Sequence, residues 1–166
     1  MSGLTLTPLA GVPMIAEGDD LAGIALDAIP ASGVTLRNGD VLVFAQKVVS
    51  KSEGRLVRLD SVTPSAKAVE LGRTTEKDPR IIELVLSESS EVLRAIPGVI
   101  IVQHRLGLVL ANAGIDRSNI GGEEHALLLP LDPDASARRI RDDIQRRAGV
   151  DAGIMITASH NPGEWN

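Results

Sequence analysis

The sequence predicts a mixed α/β domain, α/β with α+β character. Three observations lead there. Short runs rich in Val, Ile and Leu recur along the chain, which favours buried strands over helices. Between them stand segments with helical apolar spacing, opened by Asp-Pro or Thr-Pro pairs. The 166 residues are 43% hydrophobic, enough for one domain with a real core.

Residues 4–15 carry Pro8 and Pro13 and alternate weakly, so an edge strand running into a loop is expected. Leu21, Ile24, Ala25 and Ala28 share a helical face over Leu21–Ile29, with Asp19 or Asp20 as N-cap and Pro30 as the stop. Asn38-Gly39-Asp40 is a turn before a buried strand at Val41–Phe44. Arg55–Leu59 reads as a short strand. Thr63-Pro64 opens a helix to about Arg73, and Asp78-Pro79 opens another through Leu86, with Ile82, Val85 and Leu86 inward. Val99–Val102 and Leu106–Ala111 form a strand pair with a turn near His104–Gly107. Ala126–Leu129 is a further short strand. Asp132-Pro133 then opens a helix to Ala148 that Gly149 stops, and Ala152–Thr157 is a last buried strand. The arginines of that helix are interleaved with Asp142 and Asp143, which reads as a solvated face.

Composition removes several function classes. Phe44 and Trp165 are the only aromatic residues, so base-stacking platforms are not expected. Net charge is −5 without a basic block, and no nucleic-acid partner is expected. The absence of cysteine excludes disulfides, thiolate metal sites and Cys nucleophiles. No apolar run approaches a membrane span and no signal pattern opens the chain, so the expectation is a cytoplasmic protein with no membrane partner.

Two stretches carry candidate chemistry. Asn112–Asn119 packs Asn, Gly, Asp and Ser at the end of an apolar strand, where a scaffold holds side chains for ligands. Asp116 there suits a hard cation, and the Asn and Ser residues can hydrogen-bond phosphate, although the same residues also make an ordinary polar turn. Gln46–Gly54 places Lys47 and Lys51 just past a strand end. Either lysine could neutralise phosphate, and a solvated charged loop is the alternative. The spacing is not that of a Walker A loop, and no dinucleotide fingerprint occurs.

Taken together, GVPMIAEGDDL (11–21), GDVLVFAQKVVSKSEGR (39–55), HRLGLVLANAGIDRSN (104–119) and LLPLDPDASARRIR (128–141) resemble the ligase family that adds L-glutamate to the deazaflavin cofactor F420. The resemblance covers residues 4 to 157 and matches the N-terminal part of the family's domain, leaving 158–166 as an atypical tail. It implies the fold of the F420 glutamyl ligases. It also implies a GTP-dependent reaction with Mg²⁺ or Mn²⁺, in which a carboxylate of the F420 precursor becomes an acyl phosphate and the glutamate amine attacks it. Val12, Pro13, Met14, Ile15, Gln46, Lys51 and Asn119 match the family's GTP-contacting positions, and Asp116 its first metal-binding aspartate. A homodimer is expected. No catalytic residue is assigned.

The family's second metal pair, an acid and a threonine, falls on Ala158 and Ser159; alanine cannot ligate, which leaves Ser159 as the metal candidate there. The stretch Gly153–Pro162 (GIMITASHNP) also resembles the phosphoserine loop of phosphohexomutases, with Ser159 at the phosphoryl-carrying position and His160 beside it. A further class is a non-catalytic domain that keeps the ligase fold and binds nucleotide or a partner chain. A strand at Ile154–Ile156 would then leave an apolar edge for a second copy or another chain to cover.

Overall fold

The structure, a computed structural model, describes residues 3–117 and 124–157. Its described residues fold into two compact units. The first comprises 3–54 and 130–157, the second 55–117 and 124–129. Each has its own apolar core, as a mixed α/β chain requires.

In the first unit, the α1 helix (Leu21–Ala31) starts where Asp20 caps it, its Oδ1 accepting the Gly23 N–H at 3.1 Å. Pro30 lies inside the final turn rather than ending the helix. The β1 strand (Val41–Ala45) runs directly into α2 (Gln46–Ser52). The expected edge strand over 4–15 is absent, and this stretch has no regular secondary structure. With Pro8 and Pro13 missing two N–H donors, a ladder there could not close. Later in the chain come α5 (Pro133–Ala148) and β7 (Gly153–Thr157). Asp132 caps α5 through the Ala135 N–H at 2.9 Å, and Gly149 ends it at φ +67°.

β1 and β7 pair in parallel, from Val41 opposite Gly153 to Ala45 opposite Thr157. Leu42, Phe44, Ile154 and Ile156 point inward and pack on Leu21, Ala22, Val49, Ile140 and Ile144. The other face is bare: Val41, Val43 and Met155 are 55%, 56% and 53% exposed. The expected buried strands at Val41–Phe44 and Ala152–Thr157 are thus half-buried, because nothing among the described residues covers their second face. Charges along α5 are tied down by ion pairs: Arg139 to Glu53 at 2.9 Å, Arg141 to Asp151 at 2.6 Å, and Arg147 to Asp20. This agrees with a solvated face.

In the second unit, β2 (Leu56–Arg58) pairs antiparallel with β6 (His125–Leu127). Helix α3 (Ala66–Thr75) is capped by Ser65 rather than Thr63, so the helix begins two residues later than expected. Helix α4 (Pro79–Ser87) begins at Asp78-Pro79 as expected and buries Ile81, Ile82, Leu84 and Val85. An antiparallel sheet of β3 (Ser89–Ile96), β4 (Val99–His104) and β5 (Val109–Ala111) completes the unit. Ile100, Val102 and His104 alternate onto the buried face of β4.

His104 places a polar ring at the end of that apolar face, and it is met by buried Glu88 at the α4–β3 junction. Glu88 Oε2 lies 3.6 Å from His104 Nε2 and 3.0 Å from Arg105 Nε; Oε1 lies 2.8 Å from Arg55 Nη2. The Arg55 contact is close but poorly aligned as a hydrogen bond. The Leu106 N–H donates to His104 Nδ1 at 3.1 Å, which puts the ring proton on Nε2, facing the carboxylate. Burial alone would raise the Glu88 pKa, but Arg55 and Arg105 outweigh it and hold the group below its ordinary value. Burial keeps His104 below its ordinary value, against the pull of Glu88.

Both shifts are downward, so each contributes stability above its unfolded pKa that is lost on acidification. Stability is expected to be flat near pH 8. It should fall first below pH 6.5, as unfolded chains take up the His104 proton, and again below 4.5 through Glu88. Urea unfolding across pH checks this, with His104→Gln removing the first limb. Glu88→Gln should cost about 3 kcal/mol at pH 8 by removing the buried negative charge that Arg55 and Arg105 share.

Candidate functional site

Because β1 and β7 are parallel, their carboxyl ends lie on one edge, at Ala45 and Thr157. In open α/β sheets that edge is where ligands gather. The chain leaves it as α2, so most of the stretch Gln46–Gly54, for which a charged loop was the alternative, is a helix. Buried Val49 anchors its inner side in the core. Gln46 is buried as well, its Nε2 donating to Ser50 Oγ at 2.7 Å. Lys51 is half-buried in the last turn, and no ion pair or hydrogen bond holds its ammonium among the described residues. Lys47 on the same helix is engaged.

The 12–15 segment is brought towards the same helix. Ile15 packs on the core, and the Gly18 N–H donates to the Ser52 carbonyl at 2.9 Å. Val12, Pro13 and Met14 remain exposed. The end of α2 is secured by Glu53, which accepts from Ser136 Oγ and pairs with Arg139. Of the residues marked in the sequence, Ile15, Gln46 and Lys51 thus share one unit, Ile15 packing on its core and Val12–Met14 preceding it in the chain.

Asp116 belongs to the second unit. Its N–H donates to the Leu127 carbonyl at 3.0 Å and its carbonyl accepts from the Leu127 N–H at 2.9 Å. A half-buried carboxylate on a backbone pinned at both groups is a well-fixed oxygen donor. The chain reaches it through a left-handed turn: Asn112, Ala113 and Gly114 have φ of +51°, +54° and +70°. Non-glycine residues in this region store strain, and such strain collects at functional sites. Asn112 Oδ1 is buried without a hydrogen-bond partner among the described residues, an acceptor open to an N–H or O–H donor.

Two clefts are found among the described residues. One, of about 600 Å³ in the first unit, is lined by Asp20, Glu53, Arg139 and Arg147, charges already paired with one another. The other, of about 320 Å³ in the second unit, takes in Lys77, Asn112 and Arg117. Neither is lined by Val12–Ile15, Gln46, Lys51 or Asp116.

Among the described residues no group of three or more His, Asp or Glu is placed to hold a metal. The chain therefore offers no self-contained metal centre there. Asp116 supplies one hard oxygen, a donor set that suits Mg²⁺ or Mn²⁺ only when other ligands come with a bound phosphate. Asn119 and Ser159, with Ala158 and His160, lie outside the described residues.

A sequence model of F420-0:gamma-glutamyl ligases matches residues 11–162. The chain belongs to that family. Among its relatives are proteins named coenzyme F420:L-glutamate ligase. That of Methanothermobacter thermautotrophicus is 38% identical over 155 residues, 93% of this chain and 61% of the relative. That of Methanopyrus kandleri is 42% identical over 160 residues, 95% and 61%. The Archaeoglobus fulgidus protein is 44% identical over 151 residues, 90% and 57%. The chain spans about three fifths of the length of these relatives.

For this member of the F420-0:gamma-glutamyl ligase family, neither the Glu88 cluster nor the strained turn was foreseen from the residues. A lone Glu before Ser89-Ser90 carries no pattern. Asn-Ala-Gly was a visible signal, since Asn and Gly are the residues that tolerate positive φ. Gly114 tests the turn. A Cβ there would meet the Leu129 side chain at 3.0 Å, whereas one on Gly107, also left-handed at φ +80°, would meet nothing within 4 Å. Gly107→Ala is expected to cost about 1 kcal/mol and Gly114→Ala clearly more, as read by urea unfolding.

Proposed function

We propose that this chain carries the GTP-binding part of a ligase that adds L-glutamate to the deazaflavin F420 precursor. The observation that carries the reading is Lys51. It is a half-buried cation without an acidic partner among the described residues, on the helix that leaves the carboxyl edge of β1 and β7. A cation kept out of ion pairs suits a polyphosphate. Family membership supports the ligase part of the reading through the relatives' name.

In the proposed reaction a carboxylate oxygen of the precursor attacks the γ-phosphorus of GTP, and GDP leaves. The glutamate amine then attacks the acyl carbon of the resulting acyl phosphate. Inorganic phosphate departs and an amide remains. Lys51 offsets the repulsion between the entering carboxylate and the phosphates. Gln46, fixed by Ser50, and the Val12–Ile15 segment border the nucleotide. In the second unit, Asp116 is the residue that would hold Mg²⁺ or Mn²⁺.

Calorimetry with GTP and Mn²⁺ tests this. Lys51→Ala is expected to weaken GTP about tenfold, the loss of one charge-assisted contact, while leaving the unfolding midpoint nearly unchanged. Lys47→Ala should do less. Asp116→Ala should remove the metal dependence of binding. No heat at millimolar GTP with metal, in a folded sample, would overturn the nucleotide site.

A further inference from the structure

We infer that the bare face of β1 and β7 seats the two fifths of the family's polypeptide that this chain does not match. The inference rests on family membership, not on ligase activity. All-parallel sheets are found with both faces covered, because their strands are apolar on both sides. Here one face packs on the α1–α5 core, and the opposite face shows Val41, Val43 and Met155, each more than half exposed. Val43 and Met155 are partners in register, so their side chains form one continuous apolar patch across the pair.

The pair is also too small to stand alone. Two strands are marginal by themselves, and each strand of this pair has an unpaired edge among the described residues. A covering element would therefore find an apolar face and two open hydrogen-bond ladders together. The occupant is indicated by length. This chain accounts for 61% of two relatives and 57% of a third. The remaining polypeptide of a family that shares this sheet is the element of matching origin, whether it is continuous with this chain or separate from it.

The test co-expresses this chain with the portion of the Methanopyrus kandleri relative that lies outside the matched region. Complex formation is read by affinity purification and size exclusion. Hydrogen peroxide then oxidises exposed methionine, and mass spectrometry tracks Met155. The expected result is a complex in which Met155 oxidises at least about tenfold more slowly than in the chain alone, a degree of protection reached when fewer than one molecule in ten is open. Val43→Glu should abolish the complex while leaving the circular dichroism spectrum unchanged, since its side chain is exposed. Leu6→Glu, an exposed change elsewhere, should not affect it. If Val43→Glu does not fold, the oxidation rate in the unsubstituted chain decides. The inference is overturned if no complex forms, or if Met155 oxidises at the free rate within one. It is also overturned if this chain alone forms a dimer that protects Met155, which would assign the face to a second copy.

Discussion

A carboxylate buried at the end of a helix organises the second unit. Glu88 closes α4, and from that position its two oxygens reach Arg55 ahead of β2 and Arg105 after β4. Its main-chain carbonyl also accepts the Arg105 N–H at 2.9 Å. Burying one charge among apolar neighbours is costly, and two guanidinium groups offset that cost. Three segments far apart in sequence are held by one side chain, so the hairpin of β4 and β5 leaves the cluster in a fixed direction. The chain beyond the hairpin inherits that direction.

The left-handed turn comes directly after β5. Ala113 is fully buried at positive φ, so the turn cannot relax outward without unpacking the core. Leu129 lies over Gly114 where a side chain would otherwise be. The bridge to Leu127 then fixes Asp116 two residues after the turn. A backbone held by sterics on one side and a bridge on the other needs no bound ligand to set it. This is the rigidity expected of a preorganised donor.

Much of this was legible because helix starts are local. Asp20, Asp78 and Asp132 each bond an N–H two or three residues ahead, an interaction written in a few consecutive residues. The strand pair after Val99 was legible because aliphatic runs flank a short polar step. β3 was not. Its sequence, Ser89–Ile96, mixes Ser, Glu and Arg with no strict alternation, and its register with β4 shifts twice. The helical state of Gln46–Ser52 was hidden for a different reason. Val48, Val49, Ser50 and Ser52 have little helical preference to set beside Gln46, Lys47 and Lys51, and the burial of Gln46, Val49 and Ser50 supports the helix. The candidate residues Gln46, Lys51 and Asp116 could be marked from their types and order. The Glu88 cluster was not, since pairings across dozens of residues leave no mark in either local sequence.

The parallel pair also sets an order of events during synthesis. β1 emerges early, yet its partner β7 is made more than a hundred residues later, after the whole of the second unit. The second unit is a nearly continuous run and can close as soon as it leaves the ribosome. The first cannot, and until β7 arrives β1 has no ladder and Leu42 and Phe44 no complete core. Contacts of such separation form slowly and leave apolar strands open to wrong partners meanwhile. The N-terminal third of the chain is therefore the portion that stays open longest, and β7 the segment that closes it.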